Sequence, residues 1–91
     1  MIYDTPIHIA SAKRSPIGRF GGGLAQFTAP ELAAQTASAV IGDGHHGHVD
    51  QVILGQVLQA GCGMNVARQA ALAVGVPELA PAMTVNMVCG S

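Results

Sequence analysis

Charged and aromatic residues are scarce in this sequence of 91 residues, at 10% and 3% of the chain. Four basic residues stand against five acidic ones, which gives a formal net charge of -1. Nucleic-acid binding needs a basic surface, and often aromatic rings on which bases stack. The composition therefore argues against nucleic acid as a partner.

Long apolar runs are also lacking, and none approaches the roughly 18 residues that a membrane-spanning segment needs. The start of the chain, from Met1 to Ile9, does not have the charged region followed by an apolar stretch that marks a secretory leader. We therefore expect a soluble, cytoplasmic protein without a membrane partner.

Cysteine is limited to Cys62 and Cys89, which stand far apart and without CxxC spacing. This pattern indicates neither a disulfide framework nor a zinc site. The histidines His45, His46 and His48 lie in a glycine-rich connection, without a carboxylate or cysteine that completes a tetrahedral ligand set. We interpret this connection as a solvated loop and expect no bound metal.

Apolar residues are abundant, at 49% of the chain with a mean hydropathy of +0.41. A chain of this length buries only about 60% of the surface that its unfolded form exposes. The sequence contains no internal repeat, low-complexity tract or linker. We interpret residues 1–91 as one partial domain, much of whose apolar surface meets further protein.

The first half of the chain predicts a strand and a helix. Ile7 to Ser11 is typical of a short strand, and the glycines Gly21 to Gly23 mark the loop that follows. Thr28 and Glu31 form a capping-box pattern, which indicates the start of a helix. Apolar residues then recur at helical spacing up to Gly42, which predicts a helix of about four turns.

The second half predicts two strands joined by a helix. Val49 to Leu58 is rich in β-branched and aliphatic residues, and the consecutive apolar positions Val52 to Leu54 suit a strand covered on both faces. A helix is predicted from the N-cap Asn65 to about Val74. Ala82 to Val88 is the third predicted strand, and it runs directly into Cys89.

This β-α-β-α-β order is typical of an α/β fold with mostly parallel strands and helical crossovers. Ligands of such sheets bind beyond the carboxyl ends of the strands. Because Cys89 follows the third strand, we expect its thiol at that edge of the sheet.

The surroundings of Cys89 suit a nucleophile. Cysteine attacks as thiolate, a form favoured at a helix N-terminus, and a strand followed by Cys-Gly-Ser is suited to place it there. Gly90 allows a tight turn and close approach of a substrate carbonyl, while the Cys89 backbone N–H can donate to a developing oxyanion. The alternative is that Cys89 is a buried apolar residue, as most lone cysteines are.

Three stretches resemble the thiolase family. Ser11 to Gly22 is similar to its early loop, with Arg-Ser-Pro where the family usually has Arg-Thr-Pro. Gly55 to Gly61, continuing through Asn65 to Ala71, resembles acetoacetyl-CoA thiolases more closely than long-chain 3-ketoacyl-CoA enzymes. Asn86 to Ser91 resembles the nucleophile motif of Asn, two residues, Cys, a small residue and Ser. The stretches agree with the family in order and spacing over nearly the whole chain.

The resemblance implies the layered α/β/α/β/α thiolase fold, of which residues 1–91 supply an amino-terminal part. It also implies that Cys89 accepts the acyl group of an acyl-CoA and that a second CoA substrate resolves the acyl-enzyme in a ping-pong cycle. Coenzyme A thioesters are then substrates, and no cofactor is implied. The remainder of a thiolase polypeptide and further copies, as a homodimer or homotetramer, are the expected partners.

Other polar residues receive no catalytic or CoA-binding role. The activating histidine, second cysteine and asparagine of the family lie far downstream, so the histidines here and Cys62 do not match them. We expect a packing or loop role for Cys62. Gly61 to Val66 superficially resembles a dinucleotide fingerprint, but Val66 stands where a small residue is needed. The residues considered and set aside are His8, His45, His46, His48, Arg14, Arg19 and Arg68.

Three functions remain open from the sequence. We favour an acetyl-CoA acetyltransferase that condenses two acetyl-CoA to acetoacetyl-CoA or runs the reverse thiolysis. A thiolase for longer 3-ketoacyl chains is the second, and a catalytically silent fragment that packs on a partner is the third.

Overall fold

The computed structural model describes residues 4–91, which contain two α-helices and a two-stranded sheet. In chain order the elements are α1 (Ala29–Ile41), a single 3-10 turn (His46–His48), β1 (Val52–Gly55), α2 (Val66–Ala73) and β2 (Ala82–Val85). Within this part of the chain, neither α-helix has the length and apolar character required to cross a membrane.

The capping box predicted at the start of α1 is confirmed. The Thr28 hydroxyl accepts a hydrogen bond from the Glu31 N–H at 3.3 Å, and the Glu31 carboxylate accepts one from the Thr28 N–H at 3.1 Å. These bonds satisfy two of the N–H groups that lack partners at a helix start. The helix ends where predicted, because Gly42 has a φ of 74°, in the left-handed region that favours glycine.

The two strands pair in parallel, with Val52 opposite Ala82 and Gly55 opposite Val85. α2 connects them, as the predicted strand-helix-strand order requires. Ile53 and Met83 lie opposite each other and are 54% and 45% exposed. The prediction that this strand is covered on both faces is therefore wrong for the described residues, because α2 packs on the opposite face of the sheet.

Small side chains form the best-buried part of the fold. α2 contributes Val66, Ala67, Ala70 and Ala71, and the segment after it contributes Val76 and Ala80. Because they are small, α2 lies close to α1 and to both strands. Small side chains also remove little apolar area from water, so hydrogen bonds contribute a larger share of the interactions that fix α2 on the sheet.

A polar network joins the start of α2 to β2. Asn65, the predicted N-cap, has a φ of 44°, a conformation that asparagine tolerates better than most residues. Its Oδ1 accepts from the Arg68 N–H at 3.3 Å and from the Thr84 hydroxyl at 2.9 Å, and its Nδ2 donates to the Ala82 carbonyl at 3.0 Å. The Thr84 hydroxyl accepts from the Ala67 N–H at 3.0 Å. The confirmed cap therefore also fixes the helix on the strand.

The strand predicted over Ile7 to Ser11 is not formed. These residues have no regular secondary structure, and the Ile9 side chain is 91% exposed. A strand needs a neighbour for its main-chain groups, and the sheet within residues 4–91 contains β1 and β2 alone. The other two strands are shorter than the predicted Val49 to Leu58 and Ala82 to Val88, because four residues of each are paired.

The network at Thr84 leads to a prediction about stability. Thr84→Val keeps the shape of the side chain but leaves the buried Ala67 N–H and the Asn65 side-chain Oδ1 without this partner. We expect the free energy of unfolding, measured by urea denaturation, to fall by about 1–3 kcal/mol.

The matched control is Thr36→Val in α1, where the hydroxyl donates to the Leu32 carbonyl of the same helix at 3.1 Å. Such bonds within a helix add little, so we expect a change of about 0.5 kcal/mol or less. Equal losses in the two variants would contradict the role given to Thr84.

Candidate active site

Cys89 lies just beyond the carboxyl end of β2, and its side chain is exposed. This position confirms that the residue follows a strand of a parallel sheet, and within residues 4–91 its thiol is not buried among apolar side chains. The edge where it lies is the one at which parallel sheets bind their ligands.

Residues 86–91 form a compact turn. The Gly90 N–H donates to the Met87 carbonyl at 2.9 Å, and the Ser91 N–H and hydroxyl both donate to the Val88 carbonyl, at 3.4 and 3.1 Å. A helix that starts at Cys89 would extend past residue 91, so the helix start expected there stays a prediction.

Val88, the residue before the cysteine, has a φ of 52°. A left-handed conformation is a genuine outlier for a β-branched residue and costs of order 1–3 kcal/mol. It is stabilised from both sides, since the Val88 N–H donates to Asn86 Oδ1 at 2.9 Å and its carbonyl accepts from Ser91. Strain of this kind is concentrated at functional sites.

The Asn86 side chain ties the turn to the loop after β1. Its Nδ2 donates to the Val57 carbonyl at 3.3 Å, across 29 residues of sequence. Just before this contact, the Gln56 N–H donates to the Val85 carbonyl at 3.0 Å. The side-chain bond thus continues the line of hydrogen bonds between the two strands after the main chain of β2 has left the sheet.

Gly55, at the end of β1, has no side chain and so leaves space for Ser91 of the turn to approach the strand. A Cβ added at Gly55 would overlap the carbonyl carbon of Ser91 and lie 3.0 Å from its oxygen. The sequence analysis did not single out this requirement. The signal available there was a glycine at the end of an apolar strand, which is consistent with close approach of another backbone.

Cys62 differs from Cys89 in its surroundings. It is half-buried in the loop between β1 and α2, the position predicted for it. Its Sγ accepts from Gln56 Nε2 at 3.3 Å and lies 3.8 Å from the carbonyl oxygens of Leu58 and Ala60. These contacts fit a thiol that helps to order the loop.

The predicted histidine loop contains the 3-10 turn His46–His48. The ring centroids of His45 and His48 are 6.4 Å apart, and both residues border one open cleft together with His8. Among the described residues, no three His, Cys, Asp or Glu side chains gather closely enough to hold a metal ion.

A family model for the amino-terminal domain of thiolases matches residues 7–91, almost the whole chain. The chain belongs to the thiolase family. The match runs through the cysteine turn, so this thiolase chain includes the region that resembles the family's nucleophile motif.

Curated relatives of this chain are longer proteins. The chain is 49% identical over 89 residues to an acetyl-CoA acetyltransferase of Cupriavidus necator, an alignment that covers 96% of this chain and 23% of that protein. It is 46% identical over 89 residues to a probable acetyl-CoA acyltransferase of Staphylococcus aureus, again over 96% of this chain and 23% of the relative. The chain thus spans about a quarter of the length of the relatives it matches.

Solved structures confirm the predicted fold class. A thiolase of Ascaris suum, crystallised with coenzyme A, superposes with a TM-score of 0.85 at 34% identity, over 89% of this chain and 22% of that one. Human mitochondrial 3-ketoacyl-CoA thiolase superposes with a TM-score of 0.82 at 43% identity, over 89% of this chain and 21% of that one. The α/β architecture is therefore that of the amino-terminal part of a thiolase.

The close approach at Gly55 leads to a prediction about this site. Gly55→Ala should push Ser91 away, because the new methyl group and the Ser91 carbonyl cannot occupy the same space. We expect the amide resonances of residues 86–91 to shift in NMR spectra and the free energy of unfolding to fall by about 1–3 kcal/mol.

Gly47→Ala is the matched control, because a Cβ added there meets no atom within 4 Å. Its effects should stay within the 3-10 turn, and the amide resonances of residues 86–91 should not shift. An undisturbed turn in Gly55→Ala would show that the approach of Ser91 does not depend on this glycine.

Proposed function

We propose that Cys89 is the acyl-accepting nucleophile of an acetyl-CoA acetyltransferase and acts together with the remainder of a thiolase polypeptide. The observation that carries this proposal is the exposed thiol of Cys89 on a strained turn at the carboxyl edge of a parallel sheet. The resemblance of Asn86 to Ser91 to the thiolase nucleophile motif supports it.

In the first half-reaction, the Cys89 thiolate attacks the carbonyl carbon of acetyl-CoA. A carbon-sulfur bond to Cys89 forms, and the bond to the CoA sulfur breaks from the tetrahedral intermediate. The intermediate carries negative charge on the former carbonyl oxygen, which a backbone N–H can stabilise. None of the hydrogen bonds found among residues 4–91 uses the Cys89 N–H as donor, so this group is available for that purpose.

In the second half-reaction, a second acetyl-CoA loses an α-proton and its carbon attacks the acetyl group on Cys89. A carbon-carbon bond forms, Cys89 leaves as thiolate, and the product is acetoacetyl-CoA. The proton removed from carbon balances the CoA thiolate released earlier, which departs as the free thiol. In the first half-reaction the attacking and leaving groups are both thiolates, so acyl transfer between CoA and Cys89 runs in either direction and needs no cofactor.

A thiolase for longer 3-ketoacyl chains is the second candidate. The 43% identity to human mitochondrial 3-ketoacyl-CoA thiolase favours it. We place it second because the curated relatives at 49% identity carry the name acetyl-CoA acetyltransferase. Assembly as a homodimer or homotetramer forms part of the same proposal.

Acetyl transfer to Cys89 can be measured directly. When the native polypeptide that carries these residues is mixed with acetyl-CoA, peptide mass mapping should find an acetyl group on Cys89. We expect Cys89→Ala to abolish this label, because the other described thiol, Cys62, is half-buried in its loop and hydrogen-bonded there.

Cys62→Ser serves as the control and should acquire the label at the wild-type rate, since its sulfur lies within the loop. Label that persists in Cys89→Ala would contradict the assignment. A faster reaction with longer acyl-CoA than with acetyl-CoA would favour the second candidate. An unlabelled wild type whose Cys89 still alkylates with iodoacetamide would favour a silent fragment.

A further inference from the structure

We infer that Asn86 is a positioning residue for acyl transfer: its side-chain amide clamps the turn of Cys89 to the loop after β1. This inference rests on the proposed function, because it concerns the geometry with which the Cys89 thiol meets an acyl carbonyl. Asn86 does not touch the reacting atoms and acts through the backbone of residues 87 and 88.

The two ends of the Asn86 amide have separate tasks. Oδ1 accepts from the Val88 N–H at 2.9 Å and thereby fixes the peptide group that enters the left-handed residue. Nδ2 donates to the Val57 carbonyl at 3.3 Å and fixes the turn relative to β1. One planar group therefore couples the local conformation of the turn to its place on the sheet.

Asparagine suits both tasks better than other residues. A carboxylate retains the acceptor but loses the amide donor, and a hydroxyl is too short to span both partners. Glutamine carries the same amide on a longer side chain, which does not form the two-residue turn that asparagine makes with its own backbone. The geometry thus explains why the residue three positions before the nucleophile is an asparagine in this chain.

The coupling matters because left-handed Val88 is strained. Without the bond from its N–H to Asn86, Val88 lowers its conformational free energy by relaxing to an ordinary backbone conformation. The change in its backbone dihedral angles redirects the peptide group that carries Cys89. Displacement of a reacting group by about 1 Å lowers rates by as much as a hundredfold. The effect falls on the acylation step, whereas affinity for the CoA portion is left largely unchanged.

The test measures single-turnover acetylation of Cys89 by acetyl-CoA in the native polypeptide. Asn86→Ala should lower the rate at saturating acetyl-CoA by about tenfold to a hundredfold, with little change in the half-saturating concentration. Asn86→Ser should recover part of the rate, because a serine hydroxyl can accept weakly from the N–H two residues on. All variants are assayed at a temperature well below the midpoint of their thermal unfolding, so that loss of folded protein does not lower the measured rate.

Gln59→Ala is the matched control. It also removes an amide-to-carbonyl bond in the loop after β1, from Gln59 Nε2 to the Gln56 carbonyl at 3.0 Å, but this bond does not reach the turn. We expect its acetylation rate to match that of the wild type. If Asn86→Ala behaves like Gln59→Ala while the wild type is acetylated, the clamp is refuted and the proposed function stands. If the wild type is not acetylated at Cys89, the proposed function is refuted and the clamp with it.

Discussion

The parallel pairing of β1 with β2 is the interaction on which the site depends. It brings Gly55 and Val57 beside a turn that lies about thirty residues further along the chain, a separation across which local preferences have no influence. The pairing register also decides which side chains face α2. A slip by one residue would turn Thr84 away from the helix and exchange it for the apolar side chain of a neighbour. The same register therefore positions both the helix on one face of the sheet and the cysteine turn at its edge.

Features that depend on neighbouring residues were predictable from the sequence. The capping box at Thr28 and the N-cap at Asn65 follow from contacts within three residues, and the position of Cys89 after a strand follows from the order of elements. The prediction of a strand over Ile7 to Ser11 was wrong, because β-propensity marks a suitable segment without supplying the partner strand that its main chain needs. The space required at Gly55 was not predictable either, since it arises from the approach of Ser91 in the folded chain.

The two cysteines illustrate why residue type alone does not define a site. Cys62 lies between two glycines in a loop, and its sulfur is surrounded by a glutamine amide and backbone carbonyls. Cys89 is exposed, and its sulfur takes part in none of the hydrogen bonds found within residues 4–91. A thiol that already has neighbours must leave them before it attacks a substrate, whereas an exposed one is accessible from the outset. The folded environment thus separates two residues that are chemically identical in the unfolded chain.

The strain at Val88 connects folding to chemistry. Left-handed Val88 costs of order 1–3 kcal/mol, and within residues 86–91 this cost is offset by local hydrogen bonds that contribute about 0.5–1.5 kcal/mol each. In the folded chain, the bond from Asn86 to Val57 and the close fit of Ser91 on Gly55 add support that comes from β1. The conformation that presents the thiol therefore depends on the paired strands as well as on its own turn. Any change that separates β1 from β2 removes that support, even when every residue of the nucleophile motif is intact.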